Sequence, residues 1–270
     1  MIRPYLIVTS GRTGSSILAH ALQRTGRHGT PDEHLTVPEI DEWADRLGVP
    51  SPRQGGSMIG YLHALRAATA SPDGGFGTKL QTSAIPMVAR CLAGEPDAPS
   101  DDAAVLLGWA FPDTVVLWSR RRDRVAVAVS TWRARATGSW ARPVTDAVEE
   151  SHLDPSIEEI SELHRLLHLT DMSIPGVLAR AQLPVHEVVY EDLVADWDGS
   201  LVAIRRFLGE EGAIPPAPPP TLARQAGART ESSIRRWVTA TGGCAACGHP
   251  APEAEGEGGA TGPAVSRLRP

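Results

Sequence analysis

The sequence predicts an α/β protein with a mostly parallel central sheet and helices on both of its faces. Three observations predict it. Four short apolar runs, "PYLIVT" (4–9), "GFGTKLQ" (75–81), "DTVVLWSRRRD" (113–123) and "LPVHEVVYEDL" (183–193), are spread along the chain. The first of them, 4–9, runs apolar without alternation, as strands covered on both faces do, and the third reads as a parallel-type strand. Segments of helical spacing lie between them, and strands that alternate with helices pair in parallel.

In chain order, residues 4–9 join β-branched residues and leucine into a buried strand, and 15–25 bring Ile17, Leu18, Ala21 and Leu22 to one helical face. A polar stretch, 26–37, contains "TPDEHLTVPE". Pro38, pre-shaped for a first helical turn, opens a helix through Leu47, and Ser57 to Ala70 forms another. The second strand, 75–81, precedes a helix from Ile85 to Leu92 and a Gly/Pro/Asp loop over 93–101. The third strand ends in a charge cluster and leads into a helix from Arg124 to Ala136. Over 154–167, Asp154 reads as an N-cap, Pro155 as the first turn, and Glu158 and Glu159 face the positive end of the helix dipole. The fourth strand turns into an acidic loop, and Trp197 to Leu208 is helical. "IPPAPPPT" (214–221) is an extended linker, followed by a helix over 231–239 that carries Trp237. From Gly242 the chain has no aromatic residue and no apolar periodicity, so residues 1–241 read as the folded domain and 242–270 as a disordered tail.

The totals narrow the function. A chain of 270 residues holds one large or two small domains. Its net charge of −6 argues against nucleic-acid binding through bulk electrostatics, so any polyanion site is local. No apolar stretch approaches the ~20 residues a membrane helix needs, and "MIRPYLIV" stops too early for a secretory signal. Three cysteines, Cys91, Cys244 and Cys247, make no even disulfide framework, and a cytoplasmic protein is the simplest expectation.

The stretch "TSGRTGSSILAH" carries the first functional signal. A strand, a Gly/Ser loop and a helix N-terminus make an anion cradle, where converging N–H groups add to about half a positive charge from the dipole. Gly11 and Gly14 permit backbone geometry that a Cβ would obstruct, Ser15 and Ser16 add hydroxyls, and Arg12 adds a cation. A plain strand–helix turn capped by serine is the competing explanation, at even odds on the loop alone. The loop is not a Walker A motif, because Gly14 is followed by Ser15 and Ser16 rather than by Lys-Ser/Thr. Without that lysine and a strand-end aspartate for magnesium, a P-loop kinase loses its main parts.

The third strand adds a second anion signal. Arg122 ends the strand and Ser130 lies eight residues on, two turns into the next helix. A guanidinium and a hydroxyl so placed can grip one phosphate, and strand ends are where parallel sheets bind ligands. Two phosphate sites on one sheet edge suggest a nucleotide phosphorylated at both ends of its ribose.

At this point "SGRTGSS", "FGTK", "RRRDRVAVAVSTWRARATGSW" and "VYEDLVAD" together resemble the bacterial trehalose 2-sulfotransferase family, over roughly residues 4–240. The resemblance implies a P-loop-NTPase-like sulfotransferase fold, 3′-phosphoadenosine 5′-phosphosulfate (PAPS) as donor, its 3′,5′-bisphosphate (PAP) as product, and a homodimer. It implies that Gly11, Arg12, Thr13, Gly14, Ser15 and Ser16 hold the 5′-phosphosulfate and that Arg122 and Ser130 hold the 3′-phosphate. "LARQAG" (222–227) is similar to the family's "RQAD" segment near the product, which nominates Arg224 and Gln225; Gly227 stands in place of the acid.

Sulfuryl transfer requires deprotonation of an acceptor hydroxyl and neutralisation of the equatorial and leaving oxygens, which cations and backbone donors can supply without a metal. Arg12 and Lys79, the lysine of "FGTK", are the candidate cations. Glu33 in "PDE" aligns with the base that the resemblance implies, and His34 and His20 are rivals, because animal and plant sulfotransferases use a histidine. Trp140 with Glu33 and His34 could line an acceptor pocket by stacking on a sugar, whereas Trp132 reads as core. His152, His164 and His168 lie outside any Glu-x-x-His frame, and Cys244-x-x-Cys247 lacks a second ligand pair, so no metal site is expected. The acceptor is expected to be a hydroxyl of a sugar or glycosylated metabolite; Leu80-Gln81 departs from the apolar or aromatic pair usual after the family's lysine. A small-molecule kinase and a catalytically silent nucleotide- or sugar-binding protein are the alternatives.

Overall fold

The computed structural model describes residues 1–138, 140, 153–217, 219 and 227–250. Four parallel strands, β1 (Tyr5–Thr9), β2 (Gly77–Gln81), β3 (Val115–Arg120) and β4 (Val185–Val189), form one sheet in the order β2-β1-β3-β4. All five residues of β1 are buried, which explains its unbroken apolar pattern. The parallel α/β architecture expected from the sequence is the one observed.

Alternation along β1 divides the core between the two faces. Leu6 and Val8 pack under α2 (Glu39–Leu47), α3 (Met58–Thr69), α4 (Ile85–Ala93) and α5 (Ala103–Ala110). Tyr5 and Ile7 pack under α1 (Ser15–Arg24), α8 (Tyr190–Ala195) and α9 (Trp197–Phe207). A third cluster joins α6 (Arg124–Thr137), the first half of α7 (Ile157–Arg180) and α10 (Ala228–Thr241) through Val125, Val129, Ile160, Trp237 and Cys247.

Several boundaries differ from expectation for identifiable reasons. The sequence gives no signal for helix α5, because "AAVLLGWA" is apolar on every side and offers no period; Asp102 caps it by accepting from the amides of Ala104 and Val105. Helix α7 is capped by Ser156 in a capping box with Glu159 rather than by Asp154. It also continues through Pro175 to Arg180. An interior proline costs about 3 kcal/mol, and burial of Ile174 and Leu178 against the sheet opposes that cost. The acidic loop after β4 is helix α8, and α10 starts at Ala228, three residues before the expected start.

Residues 242–250, which the sequence assigns to a disordered tail, instead fold against the third cluster. Ala245–Cys247 form a short 3₁₀ turn, Cys244 pairs with His249 in an antiparallel bridge, and Cys244 and Cys247 pair as a disulfide. Residues 251–270 lie outside the described residues. No described helix is long and apolar enough to cross a membrane.

Candidate functional site

Parallel strands in register bring their C-terminal ends to one edge: Thr9 lies beside both Gln81 and Ser119, and Arg120 lies beside Val189. The segments leaving those ends therefore converge, and the site is built where they meet.

The loop after β1 turns through left-handed backbone at Gly11 (φ 87°), Arg12 (φ 56°) and Gly14 (φ 87°) before α1 begins at Ser15. Its base is pinned from below. Thr13 is buried and its hydroxyl lies 2.8 Å from Thr9 Oγ1 and 2.9 Å from Ser119 Oγ, and the Gly11 N–H donates to Thr9 Oγ1 at 3.0 Å. Thr13 thus fixes the loop with its side chain and offers the site only its backbone. A Cβ on Gly14 would sit 2.5 Å from the Tyr190 ring, the first residue after β4. Positive φ and that contact both require glycine there. Gly14→Ala is expected to displace the loop, weakening anion binding at least about tenfold while costing about 1–2 kcal/mol of stability; titration with PAP and thermal unfolding measure the two effects.

Lys79 is the centre of the site. It emerges from β2 with its side chain 3% exposed, and its Nζ donates to Ser16 Oγ at 3.1 Å and to Glu33 Oε1 at 2.7 Å. The Gln81 amide donates to the same Glu33 oxygen at 3.1 Å. Glu33 is held at this sheet edge by its own backbone neighbourhood. The carbonyl of Asp32 accepts from the Lys79 N–H at 2.8 Å, and the Asp32 carboxylate accepts from the Glu33 N–H at 2.8 Å. Glu33 Oε2 takes no hydrogen bond among the described residues, and the side chain keeps 33% exposure.

Arg12 closes the other side. Its Nε donates to Ser130 Oγ at 2.9 Å, and its guanidinium also bonds the carbonyl of Trp140. Burial and the nearby Arg121 lower the Arg12 pKa, and Glu33 partly restores it.

The structure brings Arg12, Ser16, Glu33, Lys79 and Ser130 together, and the Arg122 guanidinium, expected to share a phosphate with Ser130, pairs with Asp192 among the described residues. Arg122 is half-exposed and donates to Asp192 Oδ2 at 2.5 Å. Arg121 is the inward arginine of the triplet, 15% exposed, with its guanidinium 4.7 Å from the centre of the Tyr190 ring that packs on Gly14. A triplet at a strand end cannot reveal which member turns inward, and Tyr190 and Gln81 likewise gave no signal beyond lying at strand ends.

His34 is fully buried below Glu33. Its Nδ1 lies 2.9 Å from Thr78 Oγ1 and its ring stands edge-on to Trp43, and burial lowers its pKa to about 4 despite the nearby Asp32. It is therefore a packed neutral imidazole in this arrangement and does not line an open pocket. His20 lies part-buried on α1, Trp132 packs against the third cluster as expected, and Trp140 is 53% exposed beside Arg12. Arg224 and Gln225 lie outside the described residues.

Comparison with known proteins follows the same map. A family model described as Stf0 sulphotransferase matches residues 4–240. The chain is 24% identical over 256 residues to the trehalose 2-sulfotransferase of Mycobacterium tuberculosis (strain ATCC 35801 / TMC 107 / Erdman), covering 87% of this chain and 94% of that protein. It is 25% identical over 256 residues to the trehalose 2-sulfotransferase of Mycolicibacterium smegmatis (strain ATCC 700084 / mc(2)155), covering 86% and 93%.

Proposed function

The chain belongs to the Stf0 sulphotransferase family, and we propose that it moves a sulfuryl group from PAPS to a hydroxyl of a carbohydrate, with Glu33 as general base. One observation carries this: a single buried ammonium, Lys79 Nζ, links Ser16 at the start of the anion-cradle helix to the carboxylate of Glu33. A donor held by the loop and an acceptor held at Glu33 would then meet at one cation.

The residues fit such a donor. The loop has left-handed backbone and no Cβ at Gly11 and Gly14, the N-terminus of α1 faces it, and Arg12, Lys79 and Arg121 surround it. PAPS supplies an activated sulfuryl group on a phosphate leaving group. Lys79 and Arg12 are positioned to neutralise oxygens that gain charge as transfer proceeds. Ser130, oriented by Arg12, and Arg121 are the best candidates to hold a second phosphate. Glu33 Oε2 is left to take the acceptor proton while Oε1 is fixed by Lys79 and Gln81. Trehalose heads the list of acceptors because of the names of the two relatives. The homodimer is part of the same proposal, and sedimentation of the purified chain tests it.

The test is transfer of radiolabelled sulfate from PAPS to a panel of trehalose, other disaccharides and simple glycosides, with chelator present. Labelled sugar is the expected product. Phosphorylation of the same sugars from ATP and magnesium, without sulfation, would instead mark a kinase. In the same assay, Lys79→Met is expected to reduce kcat about 10²–10³-fold, the usual cost of one preorganised donor, with the thermal midpoint retained because methionine fills a similar buried volume.

A further inference from the structure

The turn after α10 holds chemistry that sulfuryl transfer does not use. Cys244 and Cys247 stand at the C-x-x-C spacing of zinc turns, closed by Gly248 in left-handed backbone (φ 80°) and by the Cys244–His249 bridge. The sequence supplies no second ligand pair, but the fold brings a third ligand from far along the chain. His164, on α7, points Nε2 at Cys247 Sγ, 3.2 Å away, and the ligand atoms of His164, Cys244 and Cys247 all lie within 4.8 Å of one another.

We propose that Cys244, Cys247 and His164 form a zinc site that fastens the C-terminal turn to α7. A zinc ion with Zn–S of about 2.3 Å and Zn–N of about 2.0 Å spaces tetrahedral ligands by roughly 3.5–3.8 Å, so His164 Nε2, 3.2 Å from Cys247 Sγ, already lies near that spacing, and the two sulfurs must separate from disulfide contact to reach it. Two thiolates and an imidazole suit zinc over calcium or magnesium. Zinc binds the reduced pair: a thiol or phosphine reductant supplies the two electrons that, with two protons, cleave the Cys244–Cys247 disulfide to two thiols, then two Zn–S bonds form as the two thiol protons pass to solvent, and water completes the fourth position. A disulfide across two intervening residues closes too short a loop to constrain the unfolded chain much. It also leaves unexplained why His164, packed against Trp237, aims at the pair.

The consequence is structural. His249 lies two residues beyond Cys247, with Nε2 3.0 Å from Oδ1 of Asp123, the N-cap of α6. The same turn walls a cavity of about 510 Å³ whose lining includes Arg121, Asp123, Ile234 and His249. Metal at Cys244, Cys247 and His164 would thus hold one wall of a cavity that opens onto the inward arginine of the charge cluster.

The experiment is cobalt titration of the full chain, purified with a phosphine reductant and freed of metal, followed by displacement with zinc. One equivalent of cobalt is expected, with thiolate charge-transfer absorption and the intense visible bands of tetrahedral coordination, both removed by zinc. Cys247→Ser should abolish the charge-transfer band, and His164→Ala should weaken cobalt binding at least about tenfold, the loss already typical of outer-shell partners. Circular dichroism confirms that each variant is folded, and none of these readouts depends on enzymatic activity. Absence of a saturable band in the reduced chain, or binding unchanged in His164→Ala, overturns the proposal.

Discussion

Glu33→Gln lowers kcat by about 10²–10⁴ while the Kd for PAP stays within a few-fold of the unmodified chain. The amide is a selective probe here. Its carbonyl oxygen can still accept from Lys79 Nζ and from the Gln81 amide, as Glu33 Oε1 does at 2.7 Å and 3.1 Å. The loop, the lysine and the fold therefore keep their arrangement, and what disappears is the free carboxylate oxygen that can take a proton. Glu33→Asp retains the basicity but draws it back by one methylene, so an intermediate loss is expected. Single-turnover sulfate transfer, with PAP affinity measured in parallel, separates chemistry from binding. A kcat near that of the unmodified chain would place the base elsewhere, with His20 the next residue to test.

Glu210→Gln is expected to destabilise the protein by about 3–5 kcal/mol, read as a shift in urea midpoint at unchanged slope. Glu210 is buried and receives two hydrogen bonds from the buried Arg205, at 2.8 Å each, and one from Arg27 at 2.8 Å. His28 Nε2 lies 3.5 Å from the same carboxylate. Removing the negative charge leaves a buried guanidinium uncompensated. The cluster stands at the start of the 26–37 segment that carries Glu33, so it also anchors the candidate base.

The same cluster makes the protein acid-sensitive. Burial lowers His28 to about 4, outweighing the pull of Glu210, and burial lowers His34 to about 4 as well. Both are neutral in the folded chain, so the stability they confer is complete above about pH 6.5 and is lost as the pH falls toward 4, on the order of 3 kcal/mol each. Burial raises the Glu210 pKa, but the Arg205 hydrogen bonds and charge more than reverse this, so its contribution persists until lower pH. Urea midpoints from pH 7 to pH 4 should fall across that window, and a flat profile would contradict these burials.

Local signals carried much of the fold and the heart of the site. An unalternating apolar run marked β1, which is buried at all five residues, whereas the edge strand β4 is largely exposed and was marked by its β-branched residues. The Gly/Ser loop was legible as an anion cradle at a strand end, and the lysine of "FGTK" was singled out mainly by its family resemblance. What stayed hidden depends on distance along the chain. Arg121 and Arg122 are equivalent in sequence, and only the Tyr190 ring and Asp192, some 70 residues on, divide them into inward and outward members. His34 next to Glu33 looked like a rival base, but the segment buries it against Thr78 and Trp43. Helix α5 had no apolar period to read, and α7 passes a proline that a local rule treats as a stop. In sequence the Cys244–Cys247 turn reads as part of a featureless tail, because His164, which lies beside it in the fold, stands 80 residues earlier.

The most direct test of the donor site is calorimetric titration of the chain with PAP, with and without magnesium, alongside Arg12→Ala and Ser130→Ala, the pair joined by a 2.9 Å hydrogen bond. Saturable binding indifferent to magnesium and weakened in both variants is the predicted result. Failure to bind PAP, or binding of ATP alone and only with magnesium, would contradict it.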